Sequence, residues 1–281
     1  PSSLLEKRMS NQGPGSCLTY VYTSGTTGNP KGVMISNDNY TYLGILMQKI
    51  IPVTDPNPRM VSFLPCSHVA AQFADIVMPM SLGVHIYFAD SEALKGTLIN
   101  YLKEVKPTIF LTVPRVFEKM EDKLMRTLSS KPRILNWARR FGRKGTHKQM
   151  IGKSPGFRFQ FFEKLVYNKI KRELGLDQAE FVTFGAAPMS THIRQFFFDL
   201  NIYINNSFGM SETAGPMLGL YPEIYHTYNL NSAGRALPGL EAKVAAPEGE
   251  SEGEVLFRGR NCFMGYLKNE KATRKTIDNL R

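Results

Sequence analysis

At 281 residues, with 42% hydrophobic and 21% charged positions, the chain can bury one large core or two modest ones, and it lacks the bias of a disordered or collagen-like sequence. Its three cysteines, Cys17, Cys66 and Cys262, are odd in number and widely spaced, which argues against a disulfide framework or zinc site and for a reducing, cytoplasmic compartment. The formal charge of +11 is concentrated, because residues 115–172 hold 17 Lys and Arg against 4 Asp and Glu, and the remainder 18 against 20. The histidines, His68, His85, His147, His192 and His226, show no close ligand spacing. The best membrane-span candidate, 69–89, is interrupted by Gln72, Asp75, Pro79 and His85. The chain starts at Pro1, which leaves an upstream targeting segment open.

In chain order, 1–16 is polar, carries Gly13-Pro14-Gly15 and reads as a linker. Cys17-Leu18-Thr19-Tyr20-Val21 alternates as a buried strand does. Beyond Gly32, Val33-Met34-Ile35 reads as a short strand and Ser36 as the cap of a helix to about Ile50, ended by Pro52 and Asp55-Pro56-Asn57-Pro58. Strands are expected at 60–64, 84–89 and 108–112, with helices at 68–82 (kinked or broken at Pro79) and 93–106. That alternation predicts an α/β fold, a parallel sheet covered by helices.

Residues 115–128 carry the helical stripe Val116, Phe117, Met120, Leu124 and Leu128, while 134–151 is basic and glycine-interrupted. A helix at 157–174, a strand at 180–184, a helix at 190–200 and a strand at 202–205 follow. From Leu218 the sequence turns loop-rich, and 241–245 and 254–258 read as antiparallel strands. The expected organisation is a linker at 1–16, an α/β core at 17–217 with a basic helical insertion at 115–172, and an incomplete β subdomain at 218–281. There is no internal repeat.

Two stretches carry chemistry. In Tyr22-Thr23-Ser24-Gly25-Thr26-Thr27-Gly28-Asn29-Pro30-Lys31-Gly32, glycines let backbone N–H groups converge on an anion, and hydroxyls and Lys31 add donors and charge. Such a loop suits a polyphosphate; a flexible hairpin turn is the plainer alternative. It is not a P-loop, because Lys31 is followed by Gly32, and Gly-x-Gly-x-x-Gly is absent. The second stretch, Asn205-Asn206-Ser207-Phe208-Gly209-Met210-Ser211-Glu212-Thr213, follows an expected strand and so lies at the carboxyl edge of the sheet, where open α/β folds bind ligands. There Glu212 is suited to hold Mg²⁺ against phosphate oxygens, Ser211 to donate to a phosphate and Phe208 to stack on a base. A nucleophile elbow fails because Thr213 stands where its second glycine belongs. A surface turn with a solvated glutamate is the alternative.

The first stretch resembles the phosphate loop of the adenylate-forming superfamily, which includes acyl-CoA synthetases, luciferases and peptide-synthetase adenylation domains. The second resembles that superfamily's Tyr-Gly-x-Thr-Glu motif. By this likeness Thr23, Ser24, Gly25, Thr26, Thr27, Gly28 and Lys31 hold phosphate, and Phe208 and Gly209 lie at the adenine. Ser211 contacts phosphate and Glu212 binds magnesium, the two being the catalytic pair. Phenylalanine for tyrosine at 208 keeps the stacking face and loses the hydroxyl. Gly185-Ala186-Ala187-Pro188 looks like the adenine-side loop. Leu64-Pro65-Cys66-Ser67-His68 resembles a motif whose histidine lies beside the acyl-carboxylate pocket. Gly234-Arg235-Ala236-Leu237-Pro238-Gly239 departs from Gly-Arg-Pro-x-Pro-Gly at Ala236, and 253–266 resembles the stretch leading to a ribose-binding aspartate. Ser67-His68-Val69-Ala70-Ala71-Gln72 and Glu92-Ala93-Leu94-Lys95-Gly96 resemble the bubblegum-type long-chain acyl-CoA synthetases.

The resemblance implies the large N-terminal domain of such an enzyme, using ATP, Mg²⁺ and coenzyme A on a long-chain fatty acid. The family continues past this chain into the ribose-binding aspartate and a small C-terminal domain with a catalytic lysine, so the 281 residues alone are expected not to turn over. A non-catalytic fragment or pseudo-enzyme that binds nucleotide, acyl chain and lipid is the alternative. The basic region is expected to meet an anionic membrane surface peripherally; no motif supports nucleic acid. Trp137, Phe157, Phe159, Phe161 and Phe162 suit either an acyl tunnel or an ordinary core.

Overall fold

The computed structural model describes residues 2–23, 29–128, 132–247 and 249–277. Its first element corrects the linker expectation, since Ser2–Ser10 is a helix (α1). Leu, Glu, Lys, Arg and Met favour the helix even where Leu4, Leu5 and Met9 stay exposed.

Strand β1 (Cys17–Thr23) pairs antiparallel with β2 (Lys31–Ser36), setting Thr23 opposite Lys31. β1 is not a buried strand: Val21 is buried, while Leu18, Tyr20 and Tyr22 on the other face are exposed. Ser36 then caps α2 (Asn37–Ile50) as its sequence suggests, in a reciprocal box with Asn39.

The parallel part comprises β3 (Arg59–Ser62) beside β4 (His85–Phe88), and β5 (Ile109–Thr112), β6 (Phe181–Phe184) and β7 (Asn205–Asn206) in that order. Thr108 joins the two groups, its N–H donating to Arg59 O. The strand expected at 202–205 is reduced to β7. The helix after β3 runs through α3 (Val69–Gln72), a π turn (Phe73–Val77) and α4 (Met78–Leu82). The irregularity therefore falls in the turn before Pro79, which lacks an N–H to donate to Asp75 O. The single helix expected at 93–106 is a short 3₁₀ turn (Ala93–Lys95) and α5 (Leu98–Val105), separated at Gly96, whose φ is +150°.

β5 divides the core. Neighbouring residues on a strand point to opposite faces, so Ile109 enters a cluster with Leu43, Phe73 and Met217, and Phe110 one with Phe117, Phe197 and Tyr167. Phe117 bridges Phe110 and Phe197 edge-on, with centroids 6.0 and 5.3 Å away. Each such pair adds about 0.5–1.5 kcal/mol to area burial. The second cluster lies beneath α6 (Pro114–Leu128), α7 (Pro132–Met150) and α10 (Thr191–Asp199). Buried Asp199 ties α10 to α7 by accepting from Arg139 Nε at 3.3 Å and Arg143 Nε at 3.0 Å.

α8 (Phe157–Phe162), a second π turn (Glu163–Tyr167) and α9 (Asn168–Leu174) complete the basic region. β8 (Phe208–Met210), β9 (Gly215–Gly219) and β10 (Arg235–Ala236) form an antiparallel sheet, and β11 (Glu241–Ala245) pairs antiparallel with β12 (Glu254–Arg258), as expected for these two stretches. β13 (Gly265–Tyr266) then returns to pair with β2, ahead of α11 (Glu270–Ile277). That return brings Gly265 and Tyr266 alongside Met34 and Val33, close after Lys31 at the start of β2.

Candidate adenylate site

The carboxyl ends of β6 and β7 face a cavity of about 250 Å³. Gly185 and Ala186 follow β6, and Gly209 and Ser211 flank the end of β8; all four line the cavity, as does His68 from the entrance of α3. Five residues chosen from sequence thus share one hollow. Ala187, Phe208, Glu212, Thr23 and Lys31 are not among its walls. Another part of the wall is apolar, with Met47 and Ile50 of α2, Ile51 just beyond its end and Phe73 of the π turn. Trp137 and the phenylalanines of α8 are not in it. Trp137, Phe157 and Phe161 are exposed, and Phe159 and Phe162 belong to the packed core.

Ala186 holds φ at +68°, a conformation that costs a non-glycine residue energy. That strain sits on the loop expected to meet adenine. Phe208 is 41% exposed, its ring tilted against Phe257 with centroids 5.9 Å apart, which leaves aromatic surface for a base. His68 is exposed and makes no side-chain cap bond; its backbone carbonyl accepts from Ala71 and Gln72 at 3.1 Å. Its imidazole is therefore not spent on capping α3.

Next to the lining residue Ser211, Glu212 sits on a single 3₁₀ turn, Ser211–Thr213. Thr213 Oγ1 accepts from Met210 N–H at 3.0 Å, closing that turn. Residues arriving from β12 clamp it: Phe263 N–H donates to Glu212 O at 2.8 Å, and Asn261 Nδ2 to Thr213 O at 2.9 Å. The Tyr266 hydroxyl donates to Glu212 Oε1 at 2.7 Å. Burial first, and then that bond, push the Tyr266 hydroxyl up to about 12, so it remains a donor at neutral pH. Lys31 Nζ lies 5.1 Å from the Tyr266 ring centroid. Thr23 and Lys31 pair where the expected phosphate loop begins and ends, while Ser24, Gly25, Thr26, Thr27 and Gly28 lie outside the described residues.

Residues 3–267 match the family of AMP-binding enzymes. The chain belongs to that family. Among relatives of this AMP-binding enzyme, long-chain-fatty-acid–CoA ligase ACSBG2 of Gallus gallus is 40% identical over 287 residues, covering 99% of this chain and 37% of its own length. ACSBG2 of Homo sapiens is 38% identical over 283 residues, covering 99% and 42%. The chain therefore spans about two-fifths of the length of these relatives. O-succinylbenzoate CoA synthetase (MenE) of Bacillus subtilis, solved with its acyl-adenylate intermediate, superposes with a TM-score of 0.67 at 19% identity, over 95% of this chain and 46% of that one. A malonyl-CoA ligase holding methylmalonyl-CoA and AMP gives 0.66 at 22% identity, over 94% and 48%. These superpositions show the fold: α/β, with a parallel sheet and antiparallel strands beside it.

Sequence reasoning missed Tyr266 and Asn261. The Gly265-Tyr266 pair was visible, but its contact with Glu212 spans 54 positions and depends on β13 pairing with β2. The donors fit Mg²⁺. Among the described residues no cluster of three or more His, Cys, Asp or Glu forms an all-protein cage. A single carboxylate with one oxygen bonded by Tyr266 suits an ion whose remaining ligands are water and phosphate.

Proposed function

We propose that this AMP-binding enzyme activates a long-chain fatty acid with ATP and passes the acyl group to coenzyme A. The observation that carries this reading is the continuity of an apolar hollow, walled by Met47, Ile50, Ile51 and Phe73, with Gly185, Gly209 and Ser211 at its polar end. An acyl chain belongs in the first part and its carboxylate at the second. A fatty-acid oxygen attacks the α-phosphorus, the bond to the β-phosphate bridging oxygen breaks, and pyrophosphate leaves. The sulfur of coenzyme A then attacks the acyl carbon, the thiol proton is lost, and AMP departs.

The protein's part in the first step is electrostatic. Ser211 donates to a phosphate oxygen, and Lys31 and the loop of residues 23–28 place positive charge and donors around the polyphosphate. Glu212 holds Mg²⁺, which when bound offsets charge building on the phosphate oxygens. Phe208 stacks on adenine, Gly209, Ala186 and Ala187 border it, and His68 borders the acyl carboxylate. We assign fatty-acid supply to an anionic membrane surface met by residues 115–172.

The test grafts this chain into Gallus gallus ACSBG2 in place of the matched region and measures ATP–pyrophosphate exchange. Exchange that requires palmitate, ignores acetate and falls at least tenfold with Glu212→Gln is expected. A folded graft exchanging equally with either acid would remove the long-chain reading. Full exchange in Glu212→Gln would remove Glu212 from the site.

A further inference from the structure

We infer that Tyr266 is a positioning residue that keeps Lys31 and Glu212 apart and poised for the nucleotide. The inference rests on reading this site as one for Mg²⁺ and ATP. A lysine and a glutamate that both touch one side chain would ordinarily close on each other. Among the described residues, however, neither Lys31 nor Glu212 joins an ion pair. The ammonium rests on the Tyr266 ring, 5.1 Å from its centroid, and one carboxylate oxygen takes the hydroxyl at 2.7 Å. The two charges are satisfied by different parts of one neutral group.

The spacer is itself fixed. Tyr266 is buried, its backbone pairs with Val33 of β2, and its N–H donates to Thr273 Oγ1 at 2.9 Å. Phe263 packs edge-on against its ring, with centroids 4.9 Å apart. The ring cannot swing aside without breaking that packing, so it holds Glu212 Oε1 at a defined place and leaves Oε2 without a partner among the described residues. An unpaired carboxylate oxygen can serve a metal, and an unpaired ammonium can serve a phosphate. A direct Lys31–Glu212 pair would consume both. Removing the hydroxyl alone and removing the whole ring therefore make different predictions. The first frees Glu212, and the second lets the two charges meet.

The test uses the full chain and calorimetric ATP binding over a series of Mg²⁺ concentrations, with thermal melts confirming the fold. Tyr266→Phe keeps the ring and should raise the Mg²⁺ needed for half-maximal ATP binding by roughly ten- to hundredfold, the size expected for one bond to a charged group. ATP binding without Mg²⁺ should be unchanged. In a Glu212→Gln background the same substitution should add nothing. Tyr266→Leu should also weaken Mg²⁺-free ATP binding, and adding Glu212→Gln should restore it, because the lysine then has no carboxylate to pair with. A merely structural tyrosine predicts no such rescue. Tyr266→Phe matching the wild type, or losses that add in the double variants, would overturn the inference while leaving the nucleotide site standing. A folded wild-type chain that binds no ATP would overturn both.

Discussion

The ring of Phe159 occupies the space where a side chain at position 145 would begin, so that a Cβ on Gly145 would overlap its Cδ2 and Cγ atoms. One turn earlier, Gly142 meets the backbone carbonyl of Asp199 in the same way. Both glycines lie inside α7, where alanine would favour the helix by about 1 kcal/mol. Contact should override that preference. Gly145→Ala is expected to lower unfolding free energy by about 1–3 kcal/mol net, as overpacking does. Urea denaturation measures it, and a gain in stability would show that the ring yields.

These glycines show what the sequence could not reveal. In 134–151 they read as interruptions of a basic helix, because a glycine lowers helix propensity wherever it occurs. Whether it marks a break or a close approach depends on Phe159 and Asp199, which are distant in sequence. The strand–helix alternation, the Ser36 cap and the β11–β12 pair depend on neighbouring residues and were legible. So was the grouping of His68, Gly185, Ala186, Gly209 and Ser211, through motifs that each follow a strand or open a helix. Tyr266 was not, because its role comes from β13 returning to β2. Pro79 was seen as a fault in its helix, but the π turn that absorbs it lies upstream, where Asp75 bonds to Ser62.

That π turn gives a pH prediction. Asp75 Oδ2 accepts from Ser62 Oγ at 2.7 Å, yet burial outweighs this bond and raises its carboxyl above the usual carboxylate value. The folded chain then holds this proton more tightly than the unfolded one. Stability from the group is full below the unfolded value of about 3.9 and is lost as pH rises through the folded value. Asparagine at 75 removes that loss. Asp75→Asn should therefore melt higher than the wild type near neutral pH, with the advantage vanishing as pH falls towards about 4. Melting curves across that range decide it, and an advantage independent of pH would exclude titration of Asp75 as the cause.

The acyl reading of the cavity can be tested from Ala70, which lines it from α3 beside His68. Ala70→Phe places a ring in the hollow and leaves Lys31, Ser211 and Glu212 untouched. Binding of palmitate should fall by at least about tenfold, since filling the space costs several buried methylenes at about 0.8 kcal/mol each. Octanoate should lose less, and Mg²⁺–ATP affinity should hold. Equal loss for both acids would place the acyl chain elsewhere.

The outer face of the basic region supports the membrane proposal. On α7, Arg133, Trp137, Arg140, Lys144 and Lys148 recur at helical spacing on the exposed side. Phe157, Phe161 and Leu165 follow at intervals of four, exposed by 75%, 61% and 54%. Arg158 joins the two groups, its guanidinium 5.4 Å from the Phe141 centroid and 5.5 Å from that of Phe157. Cations over protruding aromatic rings suit the boundary of an anionic bilayer, where each Lys or Arg near the surface contributes about 1 kcal/mol and tryptophan settles at headgroup level. Trp137 is the only tryptophan in the chain, which makes its emission a site-specific probe. Vesicles containing phosphatidylserine should float the protein at low salt and shift that emission to the blue. At about 1 M salt, where the Debye length falls to about 3 Å, binding should be largely lost. Arg140→Glu with Lys144→Glu should abolish it, and Trp137→Ala should weaken it while leaving the salt dependence intact. Equal flotation with neutral and anionic vesicles, or an emission that does not move, would leave this face as a solvated surface and require another route for the fatty acid.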